Sequence, residues 1–302
     1  MIFKIKKDES NNSQLFKLIN EIQPSNIAHT KTDIFREQIQ YNQTIKDELL
    51  SARDDKSIDK LKDIENKLYN LNDIEFGLLI DLFLSYRAVE AYDDMIKLVD
   101  KMPKILSETL MVQEQLGFAL NRMQLRKKAI ETLEKLIEKY GKNSETCGIL
   151  GRVYKDYWQE NISNETLSKE YLQKAINIYL DGFKFNLKDA YPGINALTLM
   201  DIAQDDRFDS IYPSVLFAVK QKMKDSTDYW DYATLLELYI LKNDKINANN
   251  ILSKVVIHIR EDWEVETTIN NLGIILNRRN TCGEDIKWIE DIINNLRKKI
   301  QK

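Results

Sequence analysis

Arg152, Lys155 and Asp156 fall within little more than one turn of a single amphipathic stretch, "SETCGILGRVYKDYWQE" (144–160), and Asn121 with Arg122 ends a similar stretch upstream. Guanidinium forks grip carboxylate or phosphate oxygens two at a time, and an aromatic such as Phe118 adds an apolar contact. The chemistry these residue types suit is recognition of an anion. A plainer reading competes. Arg152 and Asp156 stand four residues apart, and such a pair on a helix face contributes about 0.3–0.5 kcal/mol without binding anything.

Catalytic constellations find no comparable support. His29 and His258 are the only histidines, and no HExxH, GxSxG or glycine-rich phosphate loop occurs. Cys147 and Cys282 stand far apart with no CxxC spacing, so free thiols are expected, with no metal and no cofactor. Asp181, Asp189, Asp201, Asp205 and Asp206 read as a solvated acidic face in a chain with 48 acidic residues.

Composition narrows the class further. Hydrophobic residues make up 43% of the 302, enough for a core, while 9 Gly and 4 Pro are too few for the tight turns of a large sheet protein. The net charge of −4 offers no domain-scale basic excess for nucleic acid. The basic end "LRKKIQK" (296–302) reads as a helix terminus, where cations suit the dipole. The start, "MIFKIKKDES", lacks the apolar run of a signal peptide, and no stretch approaches the ~20 apolar residues of a membrane span. A soluble cytoplasmic protein is the expectation.

The elements that must position the cations are helices. Residues 1–54 offer two: "NSQLFKLINEIQ", ended by Pro24, and "TKTDIFREQIQYNQTIKDELLSA", with Phe35, Ile39, Ile45 and Leu49 near helical spacing. These are expected as a separate N-terminal segment able to pack on the rest of the chain, with "RDDKS" (53–57) as linker. From 55 to 302 the chain reads as helix, turn, helix. Leu116-Gly117 and Leu150-Gly151 are 34 residues apart, the tetratricopeptide period. With Gly117 at position 8, Leu120, Ala129, Leu133 and Leu136 occupy 11, 20, 24 and 27, where small residues let paired helices approach and large ones fill the grooves. Ala91, Met95 and Leu98 read as positions 20, 24 and 27 of an earlier unit, and Tyr232, Leu236, Tyr239, Ala248, Leu252 and Val255 fit a later one. With Gly151 at 8, Tyr154 fits but Ala175 and Tyr179 arrive late, so a looped insertion is expected near 159–170. Residues 284–302 are expected as a capping helix. The predicted fold is all-α, a tetratricopeptide-like helical-hairpin solenoid in a right-handed superhelix.

Two blocks carry a closer likeness. "LGRVYKDYW" (150–158) followed by "DAYPGINALTLM" (189–200) resembles the TRAFs-binding domain of apoptosis signal-regulating kinases and its stand-alone bacterial relatives. Gly151, Arg152, Tyr154, Lys155 and Asp156 match the first motif, and Gly193, Ile194 and Asn195 the second. "DYWDYATLLELYILKND" and "EVETTINNLGII" are similar to bacterial members, and the resemblance covers about residues 75–280. It implies a regulatory interaction module. In the kinases the module adjoins a catalytic domain and binds adaptor proteins. This chain has no HRD or DFG motif, and the adaptors' name does not transfer as a partner.

In such an array the first helix of each hairpin lines a concave groove. Phe118, Asn121, Arg122, Arg152, Lys155 and Asp156 are expected there as the partner-binding set. Gly151, Tyr154, Tyr191, Pro192, Gly193 and Asn195 are expected to be structural. Pro192 suits a first helical turn, Gly193 admits a neighbouring backbone, and Asn195 bonds a loop carbonyl. Tyr157, Trp158, Trp230 and Trp263 read as interhelical packing. The expected function is non-catalytic. It is the binding of a protein or peptide, such as an effector encoded nearby, in bacterial signalling or defence. The alternative is a sensor of a small anion such as a nucleotide. Neither nucleic acid nor membrane is an expected partner.

Overall fold

The computed structural model describes residues 31–68, 74–224 and 226–300, with side chains from residue 41 onward. Every regular element among them is a helix. The chain divides into two compact units, Met1–Pro103 and Lys104–Lys302. The helix expected over 12–23 lies outside the described residues.

The first unit contains α1 (Lys31–Asp54), α2 (Ile58–Lys67), α3 (Phe76–Ala88) and α4 (Tyr92–Lys101). Ser57 caps α2, its hydroxyl accepting from the Lys60 amide at 3.3 Å, which satisfies one orphan N–H of the first turn. α1 lies against both α2 and α3 and buries Ile45, Leu49 and Ala52. The division expected after residue 54 therefore falls inside this unit, because α1 shares a core with α2 and α3.

The second unit opens with the single turn α5 (Lys104–Ser107) and continues as paired helices. The pairs are α6 (Leu110–Arg122) with α7 (Arg126–Tyr140), and α8 (Ser144–Glu160) with α9 (Glu165–Phe185). Then come α10 (Ala190–Ala203) with α11 (Phe208–Lys222), and α12 (Tyr229–Leu241) with α13 (Lys245–Ile257). α14 (Asp262–Thr281) and α15 (Lys287–Ile300) complete the stack. This is the tetratricopeptide-like solenoid, and its ladder rests on close approach. A Cβ on Gly117 would lie 2.6 Å from Leu133, and one on Gly151 would lie 2.6 Å from the Tyr179 ring. Asn143 caps α8 and Gly141 ends α7 with φ 81°, so the tight connection between them is written locally.

Two sequence expectations change. Glu90, Gln124, Gln204 and Asn243 all adopt left-handed φ, between 52° and 60°, in the turn after the first helix of a hairpin. That landmark sets Glu90 level with Gln124 and therefore Met95, not Ala91, level with Ala129. The register of the earlier unit is one turn out. Met95, Leu98, Val99 and Met102 are all buried, so apolar spacing alone does not reveal the slip. The insertion near 159–170 is not a loop either. It lengthens both helices of its hairpin, to 17 and 21 residues against 13 and 15 in the hairpin before. The Tyr157 and Tyr171 rings meet edge to face at 4.4 Å and knit the extension together.

The inner wall departs most from an open trough. α14 packs against α12 and also against α10, so the first helices of the later hairpins converge. The end of α14 is held there by charge. Arg279 donates to Asp201 at 3.0 Å and to the Leu241 carbonyl at 2.9 Å, and Arg278 donates to the Asp201 carbonyl at 3.2 Å. Glu284 accepts from both arginines. Asp201 is thus a largely shielded latch, not part of a solvated acidic face.

Candidate functional site

Successive first helices lie side by side, so the end of α6 faces the last two turns of α8. Asn121 and Arg122 close α6, Gln124 sits in the turn, and Arg126 begins α7. Across from them stand Arg152, Asp156, Gln159 and Glu160 of α8. Together these eight side chains line a polar cleft of about 360 Å³. Its walls are joined by hydrogen bonds. Asn121 donates to Asp156 at 2.8 Å and accepts from Arg126 at 2.6 Å. Arg126 also grips Glu160, with Nε at 2.9 Å and Nη2 at 2.6 Å.

The two exposed guanidiniums differ in what they have left to give. Arg152 donates Nε to Asp156 at 2.8 Å, so the i, i+4 pair exists, yet its side chain keeps 44% exposure. Arg122 rests over the Phe118 ring at 5.1 Å and has no carboxylate partner among the described residues. Three arginines face two carboxylates, a local excess of one positive charge on an acidic protein. Burial is partial, so a bound anion would meet less water than on an open surface.

Of the expected groove residues, Asn121, Arg122, Arg152 and Asp156 come together. Phe118 lies beneath Arg122 and does not line the cleft. Lys155 does not join them and does not project into a groove. It turns instead toward α10 and α14, away from solvent, and only 3% of it is exposed. Its ammonium lies 3.4 Å from Asn195 Oδ1 and 3.5 Å from Asn271 Oδ1. Glu237, also buried, accepts from Thr198 at 2.6 Å in the same region. Burial, then the nearby Arg152, pushes the Lys155 ammonium down to about 8, while burial pushes the Glu237 carboxyl up. This polar centre joins α8, α10, α12 and α14.

The residues expected to be structural pack as follows. Tyr154 is buried and donates to Glu134. Pro192 stands in the first turn of α10, after Asp189, whose carboxylate accepts from the Tyr191 amide at 3.1 Å. A Cβ on Gly193 would meet Val215 at 2.8 Å and Phe183 at 2.9 Å, so it admits neighbouring side chains and not a backbone. Asn195 donates to the Tyr191 carbonyl of its own helix at 3.0 Å, in place of the expected loop carbonyl. Tyr191 is 51% exposed and crosses Tyr179 edge-on at 6.2 Å. Trp158 is buried, whereas Trp230 and Trp263 meet at 5.6 Å with Trp263 mostly exposed.

Arg126 and Glu160 escaped the sequence reading, although a signal for them existed. They are 34 residues apart, so complementary charges recur at one repeat spacing. Thr198, Glu237 and Asp201 gave a fainter one, as polar residues set in apolar helices such as "ATLLELYIL", whereas Asn271 follows Asn270 in a mostly polar run and gave none.

A family model described as MAP3K TRAFs-binding domain matches residues 5–295. Over 260 residues, 78% of this chain, the sequence is 28% identical to mitogen-activated protein kinase kinase kinase nsy-1 of Caenorhabditis elegans, and the match covers 17% of that protein. Over 231 residues, 71% of this chain, it is 24% identical to mitogen-activated protein kinase kinase kinase 5 of Homo sapiens, covering 16% of it. The chain thus spans less than a fifth of the length of these curated relatives. In fold it is similar to a thermophilic TPR protein of Thermus thermophilus, with a TM-score of 0.50 and 15% identity over 67% of this chain and 100% of that one.

Proposed function

The chain belongs to the MAP3K TRAFs-binding domain family, and from that membership we propose that it is a non-catalytic module that holds a partner protein at the arginine cleft between α6 and α8. The matched domain is a binding region of the kinase relatives and not their catalytic part, and the tetratricopeptide-like fold is of the same non-catalytic kind. The observation that carries the reading is the state of Arg122 and Arg152. Arg126 already engages Glu160, and Asp156 is shared, so the two exposed forks remain available to an incoming carboxylate or phosphate. The partner segment this suits is acidic. An effector encoded nearby, in bacterial signalling or defence, is the setting we favour.

The test is the double charge reversal Arg122→Glu with Arg152→Glu. Both side chains are exposed, so the helical spectrum and melting temperature should stay close to wild type. An immobilised wild-type chain should retain one stoichiometric protein from a lysate of its own organism, and the variant should lose it. Retention of the same protein by the variant sinks the cleft. The volume of about 360 Å³ also lies within the range of small-ligand sites, which keeps the anion-sensor reading alive. A nucleotide that raises the melting temperature of wild type but not of the variant would favour that reading, since ligand bound to the folded state stabilises it. Lys155 is no substitute in this test. A carboxylate there would be buried beside Glu237.

A further inference from the structure

A groove of about 900 Å³ runs along α11 and shares no residue with the arginine cleft. Pro213, Ser214, Phe217, Ala218, Gln221 and Lys222 line it from α11, at i, i+1, i+4, i+5, i+8 and i+9, which is one continuous helical stripe. Leu187 and Lys188, in the connection between α9 and α10, make the other wall. Phe217 is 64% exposed and Leu187 58%, so the stripe leaves large apolar side chains in water. Ser214 and Ala218 are one turn apart and small, which leaves a hollow beside the Phe217 ring. A ridge of another helix fits such a hollow.

Charge gives the occupant its chemistry. Among the described residues, the ionisable ones that line the groove are Lys188 and Lys222. Lys222 lies 3.0 Å from Asp231, but that carboxylate is 8% exposed, also bonded to Ser226, and outside the lining. We propose that this groove docks an amphipathic helix of a partner protein, with an apolar stripe flanked by carboxylates. The lining of α11 spans about 14 Å at 1.5 Å per residue, so the occupant contributes about two and a half turns. A second copy of this chain fits less well, because a self-complementary contact would set lysines against lysines, with no carboxylate in the lining among the described residues. A flat anionic bilayer cannot enter a recess. The surface is separate from the arginine cleft, so either can fail without the other.

The probe is a fluorescein-labelled peptide of about 16 residues, designed as a helix with leucines on one stripe and glutamates flanking it. A second peptide has lysine in place of every glutamate. Anisotropy titrations on the full chain should show saturable binding of the acidic peptide, with the basic one weaker by roughly tenfold or more. Phe217→Asp should weaken the acidic peptide by roughly tenfold or more at an unchanged melting temperature, since that ring is mostly solvated. Lys188→Glu with Lys222→Glu should reverse the preference, whereas Arg122→Glu with Arg152→Glu should leave it intact. No binding of the acidic peptide, equal binding of the two, or indifference to Phe217→Asp overturns the proposal. So does a Phe217-dependent dimer by sedimentation, or Phe217-dependent binding to phosphatidylserine vesicles, if the peptide does not bind.

Discussion

A glycine inside a helix costs about 1 kcal/mol relative to alanine, so each one here needs a geometric reason. Gly151 has one, because an added methyl group would lie 2.6 Å from the fully buried Tyr179 ring. Gly273 has none, because nothing lies within 4 Å of the same position. The two substitutions should therefore differ in sign. Gly151→Ala should lose about 1–3 kcal/mol through overpacking, and Gly273→Ala should gain about 0.5–1 kcal/mol. Urea denaturation measures both, and equal signs would contradict the close approach. Lys155 sets a second expectation. Its folded pKa, about 8, lies below the ordinary 10.5. Between those values the unfolded chain binds the extra proton, so the Lys155 contribution rises with pH through that window, by about 3 kcal/mol in all. Stability measured from pH 7 to 10.5 should climb for wild type relative to Lys155→Met, and parallel profiles would refute the buried ammonium. Gly151 was legible in the sequence because a small residue recurring at a fixed period points to close helix contact and to little else. The burial of Lys155 was not, because Arg152 and Lys155 are both cations on one helix and nothing local separates them.

α14 acts on elements far from it in sequence. Its end reaches Asp201 of α10 and the last carbonyl of α12, and both arginines and the aspartate are largely shielded from water. Burial pushes the Asp201 carboxyl up, against the pull of Arg279 and Arg278, so the latch works against a desolvation penalty. Desolvation offsets much of the attraction in such a pair, so the latch adds little net stability over an apolar contact of the same volume. Removing one partner still leaves a shielded charge behind. Asp201→Ala should cost about 3 kcal/mol, and hydrogen exchange in α14 should quicken more than in α6 or α7. Uniform quickening would mean that α14 is not held separately. At this scale the helices themselves were readable from apolar spacing. Their register in 76–103 and the fate of 159–170 were not. Apolar residues tolerate a one-turn slip, and a polar insertion reads the same whether it extends two helices or forms a loop.

The Lys104–Lys302 unit carries its own core, from Leu133 and Tyr179 to Leu236 and Trp288. Expressed alone, residues 104–302 should give a helical spectrum and one cooperative thermal transition, whereas a broad melt without a baseline would show that the unit is not self-sufficient. For the whole chain, composition, scarce Gly and Pro, and glycines one period apart sufficed for an all-α tetratricopeptide-like array, and two short motifs sufficed for the family. These signals are legible because they are local: a helix, a cap or a close helix pair is decided within one repeat. Which cations face outward was decided elsewhere. Lys155 meets Asn271 across 116 residues of chain, and only when α14 closes on α8 and α10 does one cation become core while Arg152 stays in the cleft. Contacts of that separation depend on the small rotation added at each hairpin. That rotation accumulates from packing along the stack, and no single segment of sequence encodes it.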